Sequence, residues 1–75
     1  QGRSVLTADP KKLAQKAGTG QTVNDVPKGQ PNYKERVEFG EIIGDFVQDG
    51  IATPTTKGII TYAKDGSIHI IPARP

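Results

Sequence analysis

The Asp65-Gly66 pair constrains this chain most, because it lies between two alternating apolar runs near the end of the sequence. A tight type I′ turn needs positive φ at its central positions, and Asp-Gly is among the pairs that adopt it most readily. A two-residue loop at this pair would place Tyr62 directly opposite His69. The sequence therefore predicts a carboxy-terminal β-hairpin whose only histidine faces a tyrosine across the strands.

Length and composition limit what this hairpin can belong to. The 75 residues include no cysteine, so neither a disulfide framework nor a thiolate zinc site can supplement the core of one small domain. Residues 1–36 hold seven Lys/Arg against three Asp/Glu, whereas residues 37–75 hold three against five. A basic amino-terminal half suits an anionic ligand such as nucleic acid, and an ordinary solvated surface is the alternative. No apolar run approaches the roughly 20 residues of a membrane span.

Local patterns predict one helix followed by several strands. Asp9-Pro10 is typical of a helix start, and the predicted helix covers residues 10–17. Residues 1–7 form a short strand or an extended lead-in, and residues 18–32 a long loop. Alternation predicts strands over 36–39 and 45–49, with residues 50–54 as a connection before the hairpin. We expect an α+β fold with a short N-terminal helix packed on a twisted antiparallel sheet of about four strands.

The chemistry-bearing residues suggest a phosphate ester as substrate. RNA cleavage without a metal needs a base for the 2′-hydroxyl, an acid for the leaving oxygen and donors for the phosphate. Histidine is the residue type that ordinarily titrates near neutrality, and His69 is the only one here. Thr56 and Lys57 could cradle a phosphate, and Tyr62 could bond to one or stack on a base. An isolated sheet histidine, an ordinary cross-strand aromatic and a polar strand edge are the structural alternatives.

The remaining cations are less clearly placed. In simple register Lys57 lies opposite Arg74, on the face opposite His69, so a bulge near Gly58 would be needed to unite Lys57 with the histidine. Arg3 either binds phosphate or ties down the amino terminus. One histidine and scattered carboxylates show no ligand spacing, so no metal site and no cofactor are predicted.

Arg36 has two acidic neighbours, Glu35 and Glu38. Its simplest interpretation is therefore a surface ion-pair residue.

Five segments together resemble the polymorphic toxin type 50 domain. They are GRSVL near the start, a DP-led helix ending in GTG, then KERVEFGEIIGDFV, TTKGIITY and KDGSIHIIPARP. The resemblance implies a predicted RNase of the barnase/EndoU/colicin E5/RelE-like (BECR) fold. Such domains end bacterial secreted toxins and some phage structural proteins, and a cognate immunity protein neutralises them.

The resemblance also assigns site residues. It implies catalytic roles for His69, Lys57, Tyr62 and Thr56, and substrate binding by Arg3 and Arg74. Family members usually carry a Lys-His segment upstream of GRS, so residues 1–75 are expected to be a single toxin domain lacking an upstream segment. They also often have His-Tyr-Ser where this chain has Thr61-Tyr62-Ala63.

The predicted function is a metal-independent endoribonuclease toxin domain that cleaves RNA by 2′-hydroxyl transesterification. Its expected partners are RNA, with tRNA one candidate, and the immunity protein. The domain would be delivered from a larger secreted protein and act in the cytoplasm of the target cell. The alternative is a non-catalytic nucleic-acid or protein-binding module of a phage or secreted protein.

Overall fold

Two antiparallel sheets make up the structure, a computed structural model that describes residues 3–75. The elements in chain order are β1 (Val5–Leu6), α1 (Pro10–Leu13) with a 3₁₀ turn (Ala14–Lys16), β2 (Gln21–Thr22), β3 (Lys34–Glu38), β4 (Gly44–Gln48), β5 (Ile51–Thr55), β6 (Lys57–Tyr62) and β7 (Ile68–Pro72). One sheet has the order β1-β4-β5 and the other β2-β3-β6-β7. Gln1 and Gly2, at the start of the predicted 1–7 segment, lie outside the described residues.

The predicted α+β architecture, a helix packed on one sheet of about four strands, is wrong. The molecule is mostly β, with one seven-residue helical segment and separate sheets of three and four strands. The helix does start as predicted, since Asp9 accepts a hydrogen bond of 3.0 Å from the Lys11 N–H and Pro10 follows it. Its α-helical part ends at Leu13, the one buried residue of α1. A helix this short cannot cover a sheet face.

The second sheet arises from a segment that was expected to be a connection. Residues 50–54 were predicted to link two strands, yet Ile51–Thr55 forms β5 and pairs along its whole length with β4. Pro54 is tolerated because β5 is an edge strand of its sheet, where a missing N–H need not break a ladder. This hairpin pairs with β1 instead of extending the larger sheet.

The hydrophobic core lies against the inner face of the four-stranded sheet. Val37 on β3 and Ile60 on β6 point into it, and Leu13, Phe39 and Ile43 complete the buried cluster. Alternation along β3 and β6 sends every second side chain to this core and the others to the outer face. The face that a residue occupies therefore decides whether its side chain packs in the core or lies on the outer surface.

The carboxy-terminal hairpin forms as predicted, but its register differs by one residue. Thr61, not Tyr62, lies opposite His69, and Tyr62 lies opposite Ile68. The Gly66 N–H donates to the Ala63 carbonyl at 3.1 Å, and Gly66 has φ of 89°. A turn closed in this way and followed by a left-handed glycine is the usual three-residue hairpin loop, one residue longer than the predicted I′ turn.

Candidate functional site

The one-residue shift separates His69 from Tyr62. Successive strand residues point to opposite faces, and directly paired residues share a face. His69 shares the outer face with Thr61 and is exposed, whereas Tyr62 points inward and is half-buried beside the core. The predicted pairing of the imidazole with the phenol is therefore wrong.

The outer surface of the four-stranded sheet, which we call the basic face, carries most of the predicted polar groups. It consists of Gln21, Lys34, Arg36, Glu38, Lys57, Ile59, Thr61, His69 and Ile71. Three permanent cations there stand against one carboxylate. Lys57 lies on this face with His69, so the bulge expected near Gly58 is not required.

His69 lies at one end of the basic face in a row of three paired residues. Lys34 pairs with Thr61, and Thr61 pairs with His69. Strand spacing places the Cα atoms of Lys34 and His69 about 10 Å apart, with the threonine hydroxyl between them. Lys57 is four residues from Thr61 along β6, or about 13 Å. Cations spread over this area suit a polyanion better than a single phosphate.

Lys57 and Thr56 lie at the other end of the basic face, around Glu38. The Thr56 hydroxyl donates to Glu38 at 2.9 Å, and the Gly40 N–H donates to the same carboxylate at 2.7 Å. These bonds, led by that of Gly40, hold the pKa of Glu38 below its ordinary value. Lys57 is paired with Glu38 across the strands. Thr56 therefore helps to hold the carboxylate of Glu38 beside Lys57.

Arg36 joins the two ends of the basic face and anchors the carboxy terminus. It pairs with Ile59 in the row between Lys34 and Glu38, and its Nη2 donates to the Arg74 carbonyl at 2.5 Å. Within residues 3–75 the salt bridge between Lys12 and Glu41 is the only one closer than 4.0 Å. Arg36 is thus a cation of the basic face, and the ion pair expected for it with Glu35 or Glu38 does not form.

The two predicted substrate-binding arginines lie elsewhere. The Arg74 guanidinium carbon lies 5.4 Å from the centre of the Phe46 ring, so this side chain is directed towards the three-stranded sheet. Arg3 precedes β1, the edge strand on the other side of that sheet, and is exposed. Neither belongs to the strand residues that form the basic face.

Beneath the sheet lies a buried carboxylate, Glu35, on the inner side of β3. It is fully buried and accepts hydrogen bonds from the Gly18 N–H at 2.7 Å, from the Gly20 N–H at 2.8 Å and from the Tyr62 hydroxyl. Burial alone would raise the pKa of Glu35, but these three donors, together with the charge of Lys28, lower it below its ordinary value of 4.5. Glu35 therefore holds the loop after the helix against the sheet as an anion.

Tyr62 is held by the same interaction. Burial and the bond to Glu35 raise the pKa of Tyr62 to about 12, so the phenol stays neutral at physiological pH. Its ring lies 5.6 Å from that of Tyr33, centre to centre, at 36°. Its hydroxyl donates to the carboxylate, and Tyr62 also lines a cavity of about 480 Å³.

Three residues that the structure brings into prominence were not predicted from the sequence to be site residues. Thr61 is placed beside His69 by the register of the β6–β7 hairpin, and Lys34 by the pairing of β3 with β6, which joins residues 19 to 27 positions apart. Glu35 follows Lys34 in a charged stretch and resembles a surface residue. Residues two positions apart on a strand share a face, so the alternation that places Val37 inside would have placed Glu35 inside as well.

Two further properties concern the described part of the chain. Among residues 3–75 no three His, Asp or Glu side chains converge as metal ligands would. No helix within the same residues is long and apolar enough to cross a bilayer.

The family model described as bacterial toxin 50 matches residues 1–72, which is nearly the whole chain. No curated protein and no solved structure matches.

Proposed function

Because the chain belongs to the bacterial toxin 50 family, we propose that this toxin domain is a metal-independent endoribonuclease that binds RNA across its basic face. The observation that carries the proposal is the placement of an exposed imidazole, His69, on the same sheet face as three cations. A flat strip of cations matches the charge of an RNA backbone, and an imidazole can transfer the protons that cleavage requires. RNA is the proposed substrate, and a cognate immunity protein the proposed inhibitor after delivery to a target cell.

The residues of the basic face have different roles in the proposed reaction. His69 transfers a proton to or from the reacting oxygens, and the Thr61 hydroxyl beside it donates a hydrogen bond to the phosphate. Lys34 and Arg36 are the cations closest to that row and stabilise the charge that develops on the phosphate. Lys57, about 13 Å along β6 from Thr61, holds a neighbouring phosphate instead of the scissile one. Thr56 acts through Glu38 and positions the Lys57 end of the face.

A cleavage assay with matched RNA and DNA strands tests the proposal. In EDTA, we expect the domain to cut a labelled oligoribonucleotide and to leave an oligodeoxyribonucleotide of the same sequence intact, because the attacking 2′-hydroxyl is absent from DNA. The products should carry a 2′,3′-cyclic phosphate, which mass spectrometry identifies. Cutting of both strands, or of RNA only when Mg²⁺ is added, would contradict the proposed chemistry.

The second candidate function is RNA binding without cleavage. It is favoured by the single imidazole of the basic face, since transesterification needs both a base and an acid. The carboxylate of that face, Glu38, lies at the other end and is held ionised. Salt-dependent binding of RNA that remains intact would identify this function.

A second histidine at position 61 should strengthen cleavage. Thr61 is directly opposite His69, where Cα atoms of an antiparallel pair are about 4.5–5.5 Å apart. Thr61→His would supply a base and an acid on adjacent strands, and we expect the cleavage rate to rise at least about tenfold. Thr61→Asn, which adds no titratable group, is the matched control. An equal gain in both variants, measured under single-turnover conditions, would contradict the acid–base explanation.

A further inference from the structure

We propose that the cavity beside Tyr62 is a nucleobase-binding subsite of the RNA substrate. This inference rests on the proposed ribonuclease function and extends it from the phosphate backbone to a base. The cavity has a volume of about 480 Å³, within the range of small-ligand sites. Tyr33 and Tyr62 both line it. Tyr33 is buried and Tyr62 is half-buried, so Tyr62 provides the aromatic surface on which a planar ring can stack.

The charged groups around the cavity favour a nucleotide over an uncharged apolar ligand. Lys28 and Lys64 contribute to its lining, which includes no acidic side chain. The Lys28 ammonium donates to the Gly18 carbonyl at 3.1 Å, so it is held at the wall. Lys64 is exposed in the hairpin turn and can reach the phosphate of a nucleotide whose base lies in the cavity.

The cavity also contains a group that can read the edge of a base. Gln30 lies in its lining and is exposed on the loop before β3. A carboxamide offers one acceptor and two donors, the combination that pairs with the edge of a base such as adenine. Tyr62 is held in one orientation by its bond to Glu35, so little ordering of the stacking ring would be needed on binding.

The hairpin turn connects this cavity to the basic face. Ala63, Lys64 and Gly66 line the cavity, and His69 begins the outer row three residues after Gly66. An RNA strand that follows the basic face past His69 can therefore continue around the turn and insert a base between Tyr62 and Gln30.

Tyrosine fluorescence offers a direct test, because the chain has two tyrosines, no tryptophan, and both tyrosines line the cavity. Titration with each of the four ribonucleosides, corrected for absorbance with N-acetyltyrosinamide, should give saturable quenching by at least one of them. The expected dissociation constant is on the order of 1 mM, as for a single stacked base. Ribose 5-phosphate, which has no base, should give none. Linear quenching by all nucleosides, or saturation by ribose 5-phosphate, would overturn the proposal.

Substitutions locate the effect in the cavity. Gln30→Ala keeps both tyrosines and lies on an exposed loop, so it should fold and bind the nucleoside roughly 3–10-fold more weakly. Gln48→Ala, an exposed glutamine on β4, is the matched control and should bind normally. Equal affinity in the two variants would overturn the role of Gln30. A domain that cuts RNA without saturable quenching has no base subsite, whereas one that is quenched without cutting RNA is not a ribonuclease.

Discussion

Replacing His69 with alanine is expected to lower kcat/KM for RNA cleavage by roughly 10²–10⁴-fold, the usual contribution of a proton-transfer group. His69 is exposed on the outer side of β7, where its side chain supports no part of the core. The loss should therefore appear in kcat, with little change in KM or in the free energy of unfolding. Single-turnover cleavage and urea unfolding of the same preparation provide both measurements.

Ile71→Ala is the matched control for this substitution. Ile71 lies on the same strand and the same face as His69 and is 52% exposed, so its truncation alters the surface without removing a titratable group. We expect it to retain parental kcat. A folded His69→Ala variant that cleaves at the rate of the Ile71→Ala control would remove His69 from the mechanism. It would leave the basic face as a binding surface only.

Replacing Glu35 with alanine should have the largest effect on stability, lowering the free energy of unfolding by about 2–4 kcal/mol. The change removes the hydrogen-bond acceptor of three donors, which are the N–H groups of Gly18 and Gly20 and the hydroxyl of Tyr62. The total free energy of unfolding of a 75-residue domain is about 4–11 kcal/mol. Glu41→Ala, which removes only an exposed ion pair with Lys12, should lower the free energy of unfolding by no more than about 1 kcal/mol. Urea unfolding at pH 7 compares the two, and equal costs would contradict a structural role for the buried carboxylate.

The same carboxylate predicts how stability changes with pH. The pKa of Glu35 in the folded protein is lowered below its ordinary value of 4.5, so its contribution is fully present above pH 4.5. It is lost as the pH falls through the lowered pKa. The stability deficit of Glu35→Gln, which resembles the protonated side chain, should therefore be largest above pH 4.5 and shrink on acidification. A deficit that does not change between pH 7 and pH 3 would contradict this linkage.

Local signals in the sequence predicted local structure well. The Asp9-Pro10 pair marks the start of the helix, and Asp65-Gly66 lies in the turn of the last hairpin. Both depend on hydrogen bonds between residues close in sequence. The predicted register of that hairpin was wrong by one residue. The Asp65-Gly66 sequence is compatible both with a two-residue turn and with a three-residue loop that has Gly66 in the left-handed region.

Properties that depend on distant pairing were not predictable in this way. The division into two sheets follows from the pairing of the β4–β5 hairpin with β1, which brings Val5 opposite Asp45. The basic face likewise depends on the pairing of β3 with β6, which brings Lys34 to the row that contains Thr61 and His69. The composition of the separate strands does not indicate either pairing. The core position of Glu35 was hidden because a charged residue is ordinarily exposed.

The pairing of β3 with β6 also has a kinetic consequence. The β4–β5 and β6–β7 hairpins join neighbouring segments and can close within microseconds, whereas β3 must find β6 across the intervening β4–β5 hairpin. Lys34 and Arg36 come from the first partner, and Lys57 and His69 from the hairpin that contains the second. We therefore expect the surface that we propose for RNA to be completed by this slower, long-range step and not by the closure of the hairpins.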